Sequence, residues 1–259
     1  MSQADLTLGC DPEVFFTKNG KPFSCAEKLP GNKKKPFVWK EPGFAIQYDN
    51  VTCEFNVPPV KTAKDFVSVI SESLEYIRNV WAKKWGCEVD IVGSKVFPKK
   101  ELDCPSAIEF GCDPDYNIWT LGVNPKPKAR SKYLRSAGGH IGFGLDNQVD
   151  HVWFIRWADL VIGCPSILFD GDTRRRELYG KAGAFRRTPW GMEYRTPSNF
   201  WIKEPRFIEW VHASAHDIYI RCANKETIPK EDACKIIQCI NKSDKDILRE
   251  LTKKYNLKY

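Results

Sequence analysis

Acidic residues occur in a repeated string whose spacing would suit metal binding. Gly-Cys-Asp-Pro followed directly by an acid occurs twice in the 259-residue chain and provides two pairs, Asp11 with Glu13 and Asp113 with Asp115. Side chains two residues apart point to the same side of an extended strand, so each pair can present its carboxylates together to a divalent cation. Asp-Pro also begins turns, and this is the alternative interpretation of both copies.

A second set of polar residues lies on segments in which apolar and polar residues alternate, as in strands. The alternation puts Glu54 opposite an apolar face and places Glu193 beside Arg195. It also puts His140 on a face that otherwise carries glycines, which leave room for a ligand. Singly, these are explained by a surface acid, a cross-strand ion pair and a hydrogen-bonded histidine. Together, on the solvent side of the strands, they predict a catalytic sheet face suited to Mg²⁺, or to Mn²⁺ through the imidazole.

The balance of charge favours an anionic partner. Lys and Arg number 40 against 33 Asp and Glu, so the net charge of +7 fits either nucleic acid or ATP. The basic residues cluster at 33–35, 126–135 and 174–176 rather than along one helical face, which favours loops around a site. Solvated surface charge explains the first cluster equally well. Because the chain has neither a G-x-G-x-x-G nor a P-loop sequence, side chains must hold much of any bound ATP.

The elements that position these residues follow from hydrophobic periodicity and capping signals. Alternation predicts strands at Leu6–Phe16, Phe44–Val57 with a turn at Asp49–Asn50, Asn117–Val123, His140–Leu145 and Met192–Thr196. Helical spacing predicts helices from Thr62 to Gly86, from Asp150 to Ile162 where Gly163-Cys164-Pro165 ends it, from Pro205 to Ala223, and from near Pro229 and near Ser243. Without a βαβ rhythm, this order indicates an α+β fold with a largely antiparallel sheet. We expect one domain over residues 1–259, with 202–259 as its helical C-terminal part.

Composition predicts a globular cytoplasmic protein. Hydrophobic residues make up 42% of the chain, no run of about 18 apolar residues occurs, and the start lacks the order of a secretory signal. The sequence thus predicts no membrane segment. Ten cysteines without a C-x-x-C pair favour reduced thiols over disulfides or structural zinc. His212 and His216 are spaced as zinc ligands on a helix, but without the H-E-x-x-H order a polar helix face is the favoured interpretation.

Several motifs resemble one enzyme family. They are Gly9–Glu13, Glu54–Asn56, Arg135–Ile141, Tyr179–Arg186 and Glu193–Trp201. In this order they resemble the phage-type carboxylate-amine (COOH-NH2) ligases, type 2 amidoligases of the glutamine synthetase and glutamate-cysteine ligase fold superfamily. Gly-Gly-His-Ile and Glu-Tyr-Arg-Thr-Pro-Ser-Asn-Phe-Trp are the most specific strings. The resemblance extends to about Trp201, and the last quarter carries no recognised motif.

The resemblance implies a curved, largely antiparallel sheet bent into an open cup, with helices on its outer side. ATP would enter at one end and the acceptor at the other, with metal ions between them. By motif position, Glu13 and Glu54 would hold one Mg²⁺, and His140 and Glu193 would hold a second. Asp11 is a candidate for an additional ligand.

The resemblance also implies which cations meet phosphate. Arg195 would reach the γ-phosphate of ATP. Arg186 and one or more of Arg174, Arg175 and Arg176 would be further partners of the phosphate or acyl phosphate, although a charged loop also explains the three adjacent arginines.

The chain departs from the family in one position, because many relatives read Gly-Gly-His-Ile-His where it has Gly142. A metal there would lose one ligand or keep a water. Asp113 and Asp115 fall in a block that the family shares and would either bind the amine substrate or begin a strand. Glu54, Asp113 and Asp115 are the catalytic candidates for taking the proton of the amine.

The reaction that the resemblance implies is ATP-dependent amide formation through an acyl phosphate, in the cytoplasm of an infected bacterium. The carboxylate and amine substrates would be small molecules, peptides or protein side chains. A different class is a basic nucleic-acid-binding protein that uses Lys126, Lys128, Arg130, Lys132 and Arg135 with Tyr133 and the tryptophans. A third is a metal-dependent hydrolase that needs no ATP.

Overall fold

The fold is α+β with antiparallel sheets, as the sequence predicts. A computed structural model describes residues 6–108, 116–124, 131–146 and 149–259. Within these ranges the strands are β1 (Thr7–Cys10), β2 (Glu13–Lys18), β3 (Lys21–Phe23), β4 (Phe37–Lys40), β5 (Phe44–Asp49), β6 (Thr52–Asn56), β7 (Glu88–Asp90), β8 (Ser94–Val96), β9 (Tyr116–Asn117), β10 (Gly122–Val123), β11 (Leu134–Ser136), β12 (Ile141–Gly144), β13 (Ala184–Thr188) and β14 (Gly191–Tyr194).

Two larger sheets share one stretch of chain. Their strand orders are β1-β12-β14-β13-β9-β10 and β3-β2-β6-β5-β4, with β7 paired to β2, while β8 and β11 form a separate pair. The second edge of β1 hydrogen-bonds the segment after β6, with Leu8 N to Val60 O at 2.8 Å and Val60 N to Leu8 O at 2.9 Å. Because β1 leads directly into β2, the sheets are connected into a strongly curled surface, consistent with the predicted open cup.

The first predicted strand is interrupted in the middle. Leu6–Phe16 was expected to be continuous, but β1 and β2 are separated at Asp11 and Pro12. Pro12 has no N–H to donate to a ladder, although its carbonyl oxygen accepts a hydrogen bond from Phe55 N at 3.1 Å. The predicted turn at Asp49–Asn50 is confirmed, since Asn50 has a φ of 54° between β5 and β6.

The prediction of a single strand over Asn117–Val123 is wrong. The segment forms the short hairpin β9–β10. Asn117 begins the turn, because its Oδ1 accepts hydrogen bonds from Trp119 N at 2.9 Å and Thr120 N at 3.3 Å. An asparagine that bonds the backbone ahead of it in this way competes with an extended conformation.

Nine α-helical segments occur in the described residues: α1 (Ala63–Tyr76), α2 (Lys83–Trp85), α3 (Pro105–Ile108), α4 (His151–Ala158), α5 (Cys164–Phe169), α6 (Arg175–Leu178), α7 (Pro205–Ala223), α8 (Lys230–Lys242) and α9 (Lys245–Tyr255). A π-helical turn over Ile77–Ala82 joins α1 to α2. The predicted helix from Thr62 to Gly86 is therefore confirmed. Thr62 Oγ1 caps it by accepting from Asp65 N, and Gly86 ends it with a φ of 63°.

The second predicted helix continues beyond its expected end. It was predicted to stop at Ile162, but π-helical residues Asp159–Gly163 connect α4 to α5, which ends at Phe169. Cys164 N bonds Asp159 O, so the wider turn accommodates Pro165 at the start of α5 without a break. The run His151–Phe169 is long and apolar enough to span a membrane, but 72% of it is buried, as in the core helix of a globular protein.

The C-terminal helices agree closely with the sequence. The helix over Pro205–Ala223 is confirmed, and α8 begins directly after Pro229. Only the start of the last helix differs, because Ser243 adopts a φ of 54° and ends α8. Asp244 is the cap of α9 instead, accepting from Asp246 N and Ile247 N at 3.1 Å each.

One core joins the two ends of the described chain. It extends from Leu6 to Leu257 and includes the apolar faces of β12 and β14. Ile141, Phe143, Met192 and Tyr194 are fully buried there, as alternation predicts. Phe143 packs on Phe154 of α4 with ring centroids 4.9 Å apart. The core helix therefore covers one face of the sheet, and the polar side chains of the same strands point to the other.

Candidate active site

Three carboxylates meet on neighbouring strands of the second sheet. Glu13 on β2 lies directly opposite Glu54 on β6, and Asp49 ends the neighbouring strand β5. One oxygen from each of the three lies within 4.8 Å of the others, and we call this set the first acid group. The structure thus brings together the predicted pair Glu13 and Glu54. It adds Asp49, which the sequence identified only as part of a turn.

Burial and mutual repulsion dominate the electrostatics of the first acid group. Burial and, to a smaller extent, the charge of the neighbouring Asp49 raise the pKa of Glu13 to about 8. Burial also raises the pKa of Glu54 well above its usual range, with the charges of nearby acids acting in the same direction. The three carboxylates therefore resist ionising together. A divalent cation would remove this obstacle.

The donor atoms around the first acid group fit a hard cation. Gln47 on β5 donates from Nε2 to Glu54 Oε1 at 2.7 Å. Its own Oε1 is buried and has no hydrogen-bond partner among the described residues. Carboxylate and amide oxygens are the ligands that Mg²⁺ takes in proteins. The residues present therefore suit a magnesium ion better than a softer metal.

The second acid group consists of Asp11, His140 and Glu193. Nδ1 of His140 is 3.7 Å from Asp11 Oδ2 and 3.7 Å from Glu193 Oε1, and ligand atoms of all three lie within 4.8 Å of one another. His140 and Glu193 were predicted as a pair. The structure places Asp11 with them rather than with Glu13.

Two arginines flank the second acid group. Arg195 contacts Glu193 through its guanidinium group and has Nη1 3.4 Å from His140 Nδ1. Arg186 lies opposite Glu193 on β13, with Nη1 3.6 Å from Glu193 Oε2. Burial raises the pKa of Asp11 to about 6, while both arginines act to lower it. Cations therefore already balance much of the charge of this group.

The sequence predicted that the polar faces lie on the solvent side of the sheet. This prediction is wrong. Glu13, Glu54, His140, Glu193 and Arg195 are each exposed by no more than 8%. The reason is the curl of the sheet, which folds its polar face inward. Alternation identifies which residues share a face but does not tell whether that face is open or enclosed.

Comparison with known protein families gives a match over the C-terminal half of the chain. The profile of the family described as Phage phiEco32-like COOH.NH2 ligase-type 2 matches residues 128–258, just over half of the chain. The chain belongs to this family of carboxylate-amine ligases. No curated protein matches it.

The matched stretch divides the site of this ligase family member unevenly. It includes His140, Arg186, Glu193 and Arg195, whereas the acids of the first group and Asp11 precede it. It also includes the C-terminal helices, in which no motif was recognised. The roles assigned to Glu13 and Glu54 stay predictions, as do the roles of the site residues within the matched stretch.

Three predicted phosphate partners are engaged elsewhere. Arg175 is fully buried and donates to the carbonyl oxygens of Ala137, Thr196 and Arg195 at 2.8–3.3 Å. Arg174 pairs with Asp172 on the surface, and Arg176 donates to Ser243 Oγ at 2.9 Å. Arg175 thus supports the backbone next to Arg195. Of the five predicted phosphate-binding arginines, Arg186 and Arg195 are those at the second acid group.

Lys33 lies close enough to both acid groups to act on their charges. Asn32 and Lys35 pair through two backbone hydrogen bonds of 3.0 and 3.1 Å, so Lys33 and Lys34 form the tip of a tight hairpin. Tyr48 N bonds Gly31 O at 3.1 Å and holds this hairpin beside the end of β5. The charge of Lys33 lowers the pKa of both Asp49 and Asp11. The sequence offered surface charge as an equal explanation for this cluster.

Asp159 supports the second acid group from behind and was missed by the sequence analysis. Its Oδ1 accepts from Tyr194 Oη at 2.7 Å and Thr196 Oγ1 at 3.3 Å, and its Oδ2 accepts from Trp119 Nε1 at 2.7 Å. Tyr194 and Thr196 alternate with Glu193 and Arg195 along the chain. A single acid within the apolar helix sequence around residues 154–162 is the signal that would have found it.

Five residues named in the sequence-based predictions cannot be compared with the structure. Asp113, Asp115, Lys126, Lys128 and Arg130 lie outside the described residues.

The nucleic-acid alternative loses one of its contacts. Arg135 is buried, and its guanidinium group is bonded to Asn50 and to the carbonyl oxygen of Ala107. It is therefore not exposed for contact with a nucleic acid. His212, named in the zinc alternative, bonds Lys61 O at 3.1 Å through Nε2. Neither candidate metal group in the described residues contains a helix α7 histidine.

The two glycines predicted to share a face with His140 border a cavity. Gly142 and Gly144 line a cavity of about 360 Å³ that also reaches Asp11 and Glu193. The cavity therefore opens onto the second acid group.

Proposed function

We propose that the protein is an ATP-dependent carboxylate-amine ligase that forms an amide bond through an acyl phosphate. The observation that carries this proposal is the pair of enclosed acid groups on the two connected sheets, with Arg186 and Arg195 at the second group. Phosphoryl transfer is catalysed mainly by positioning and electrostatic stabilisation, so this arrangement needs no covalent nucleophile. Membership of the carboxylate-amine ligase family supports the same reaction class.

Two Mg²⁺ ions would each take three side-chain ligands. The first would be held by Glu13, Asp49 and Glu54, and the second by Asp11, His140 and Glu193. When bound, these ions would neutralise the charge of the phosphates and polarise the bond to the transferred phosphoryl group. The imidazole of His140 makes Mn²⁺ acceptable at the second position.

The first half of the reaction transfers the γ-phosphoryl group. A carboxylate oxygen of the first substrate attacks the γ-phosphorus, the bond to the β–γ bridging oxygen breaks, and ADP leaves with that electron pair. Arg195 and Arg186, which both lie beside Glu193, would stabilise the negative charge that develops on the oxygens of the transferred group. Guanidinium groups in a buried site stabilise such charge far better than they do in water.

The second half forms the amide. The amine nitrogen attacks the acyl carbon, the bond from that carbon to the phosphate oxygen breaks, and phosphate leaves. One proton of the amine passes to a base. Glu54 is the predicted candidate that lies at the site, while Asp113 and Asp115 stay predictions.

The substrate classes and the cellular location follow from the family resemblance. We propose small-molecule, peptide or protein carboxylates and amines as substrates, and the cytoplasm of an infected bacterium as the location.

The test is an assay that identifies both substrates at once. Purified protein with Mg²⁺ and ATP is incubated with a bacterial metabolite extract, and products are read by mass spectrometry beside the Glu193→Gln variant. We expect a new amide, formed in equal amounts with ADP and phosphate, in the wild-type sample alone. Conversion of extract components without ATP would instead indicate a metal-dependent hydrolase and overturn the proposal. Binding of DNA with micromolar affinity and steep salt dependence, without turnover, would favour the nucleic-acid alternative.

A further inference from the structure

The cavity beside the second acid group has an apolar part and an acidic end. It measures about 360 Å³, within the usual size range of small-molecule sites. Asp11 and Glu193 lie at one end of the lining. The remaining lining is uncharged and includes Asn56, Val57, Pro59, Gly142, Gly144 and Trp190.

Glycines give this cavity its shape. A Cβ atom built at Gly142 would lie 2.7 Å from Cη2 of Trp190, so a side chain there would collide with the indole. A Cβ atom at Gly144 would lie 2.1 Å from Thr7 Oγ1 on the neighbouring strand. The two glycines therefore provide a flat floor on β12, and the indole lies against one of them.

Trp190 is placed there by a tight turn. Thr188 and Gly191 pair at the ends of β13 and β14, which leaves Pro189 and Trp190 as the connecting residues. Leu145 N bonds Trp190 O at 3.2 Å and fixes the turn against the end of β12. The side chain is nevertheless 53% exposed. A large aromatic ring held by its backbone but left half open to solvent is an available stacking surface.

We infer that this cavity binds the purine base of the nucleotide, stacked on Trp190, while the phosphates lie at the second acid group. The inference rests on the proposed function for the position of the phosphates. Its own basis is the order in which the surroundings change along the cavity. Val57 and Pro59 form uncharged walls, the glycines form a floor, and the carboxylates flanked by Arg186 follow. A planar uncharged ring joined to a polyanion matches this order.

The experiment separates the ring from the phosphates. Isothermal titration with Mg²⁺ measures the binding of ATP and of inorganic triphosphate to the wild type, Trp190→Ala and Trp190→Phe. Loss of base stacking is expected to weaken ATP binding about 5- to 150-fold in Trp190→Ala, and by no more than about threefold in Trp190→Phe. The affinity for triphosphate is expected to be unchanged in both.

A second pair of variants tests the floor. Gly142→Ala puts a methyl group where the indole now lies, so it is expected to weaken ATP binding about tenfold without affecting triphosphate. Gly171→Ala is the matched control, because no atom lies within 4 Å of a Cβ built there. Thermal unfolding of each variant verifies that it is folded.

Two results would overturn the inference. One is an unchanged affinity for ATP in Trp190→Ala, which would assign the cavity to a different ligand. The other is an equal loss of ATP and triphosphate, which would mean that Trp190 acts only through the acid group. Failure of the proposed function is seen separately, as absence of amide product in the mass-spectrometric assay while ring-dependent ATP binding persists.

Discussion

The two acid groups present three side-chain ligands each but differ in the charges around them. In the first, burial raises the pKa of Glu13, Asp49 and Glu54, and the like charges of neighbouring acids act in the same direction. In the second, Glu193 is in contact with Arg195 and close to Arg186. A bound cation therefore has a different task in each place. It would allow the first group to ionise, whereas in the second it would compete with arginines that already neutralise the acid.

The largest effect is expected from removing the arginines that distinguish the second group. Arg195→Ala should lower turnover by about 10²- to 10³-fold, because a preorganised cation is lost where charge develops on the transferred phosphoryl group. Arg186→Ala should act in the same direction. Arg187→Ala is a matched control on the same strand, because the side chain of Arg187 is exposed and the residue lies opposite Met192 rather than Glu193. Equal rates of ADP release in all three variants would contradict this assignment.

Asp159, which supports the second acid group, should make the folding stability of the protein depend on pH. Burial raises its pKa to about 6, although hydrogen bonds from Trp119, Tyr194 and Thr196 oppose this. The folded state therefore holds the proton more tightly than the unfolded state. Its contribution to stability is fully present below about pH 4 and is lost as the pH rises through 6, in total about 3 kcal/mol.

The variant Asp159→Asn measures this contribution. It should be destabilised most at pH 4, and its disadvantage relative to the wild type should shrink by about 3 kcal/mol at pH 7, as followed by urea unfolding without metal. Because Asp159 holds β14, turnover should fall in the variant even where it is fully folded. A constant stability difference between the two pH values would contradict the raised pKa.

Two isosteric substitutions should change metal-free stability in opposite directions. Glu13→Gln removes a carboxylate that must either stay protonated or face Asp49, so stability at pH 8 should rise by about 1–3 kcal/mol. Glu193→Gln leaves two buried or half-buried arginines without their acid and should lower stability by about the same amount. Denaturant unfolding in a chelator measures both. A shift of the same sign in the two variants would erase the contrast between the groups.

The smallest effect concerns the lysine hairpin near the first group. Lys33→Met should lower kcat/KM about tenfold, because its charge acts on Asp49 and Asp11 and would also attract an anionic substrate. Lys34→Met removes the same charge from the adjacent position at the tip and should change kcat/KM by no more than about twofold. Steady-state kinetics at low and high salt compares them. Equal effects would indicate that only net charge matters.

Much of the fold is predictable because it depends on local periodicity. The period of two assigned Met192 and Tyr194 to the core, and thereby Glu193 and the neighbouring arginine to the opposite face. Caps and helical spacing located α1, α7 and α8. The core helix was predicted to end too early, because the rule that a proline breaks a helix does not anticipate a π-helical turn that accommodates Pro165.

The site was predictable only in part because its remaining residues come together through tertiary structure. Asp49 belongs to a turn and becomes a ligand candidate only when β5 and β6 bring it beside Glu13. Asp159 and Lys33 act on strands far from them in sequence. The three adjacent arginines 174–176 look alike as letters, yet their neighbours direct one to backbone carbonyls, one to the surface and one to α8.

The interruption of the first strand at Pro12 has a consequence for the distance between the two groups. Asp11 belongs to the second group and Glu13 to the first, so the two residues on either side of Pro12 supply one ligand to each. Because two residues of chain reach at most about 7 Å, the Cα atoms of Asp11 and Glu13 cannot move further apart than this. Covalent geometry would then limit how far apart the two bound cations can lie, in addition to packing. Inserting one residue beside Pro12 would disconnect both sites at once while leaving every ligand in the sequence.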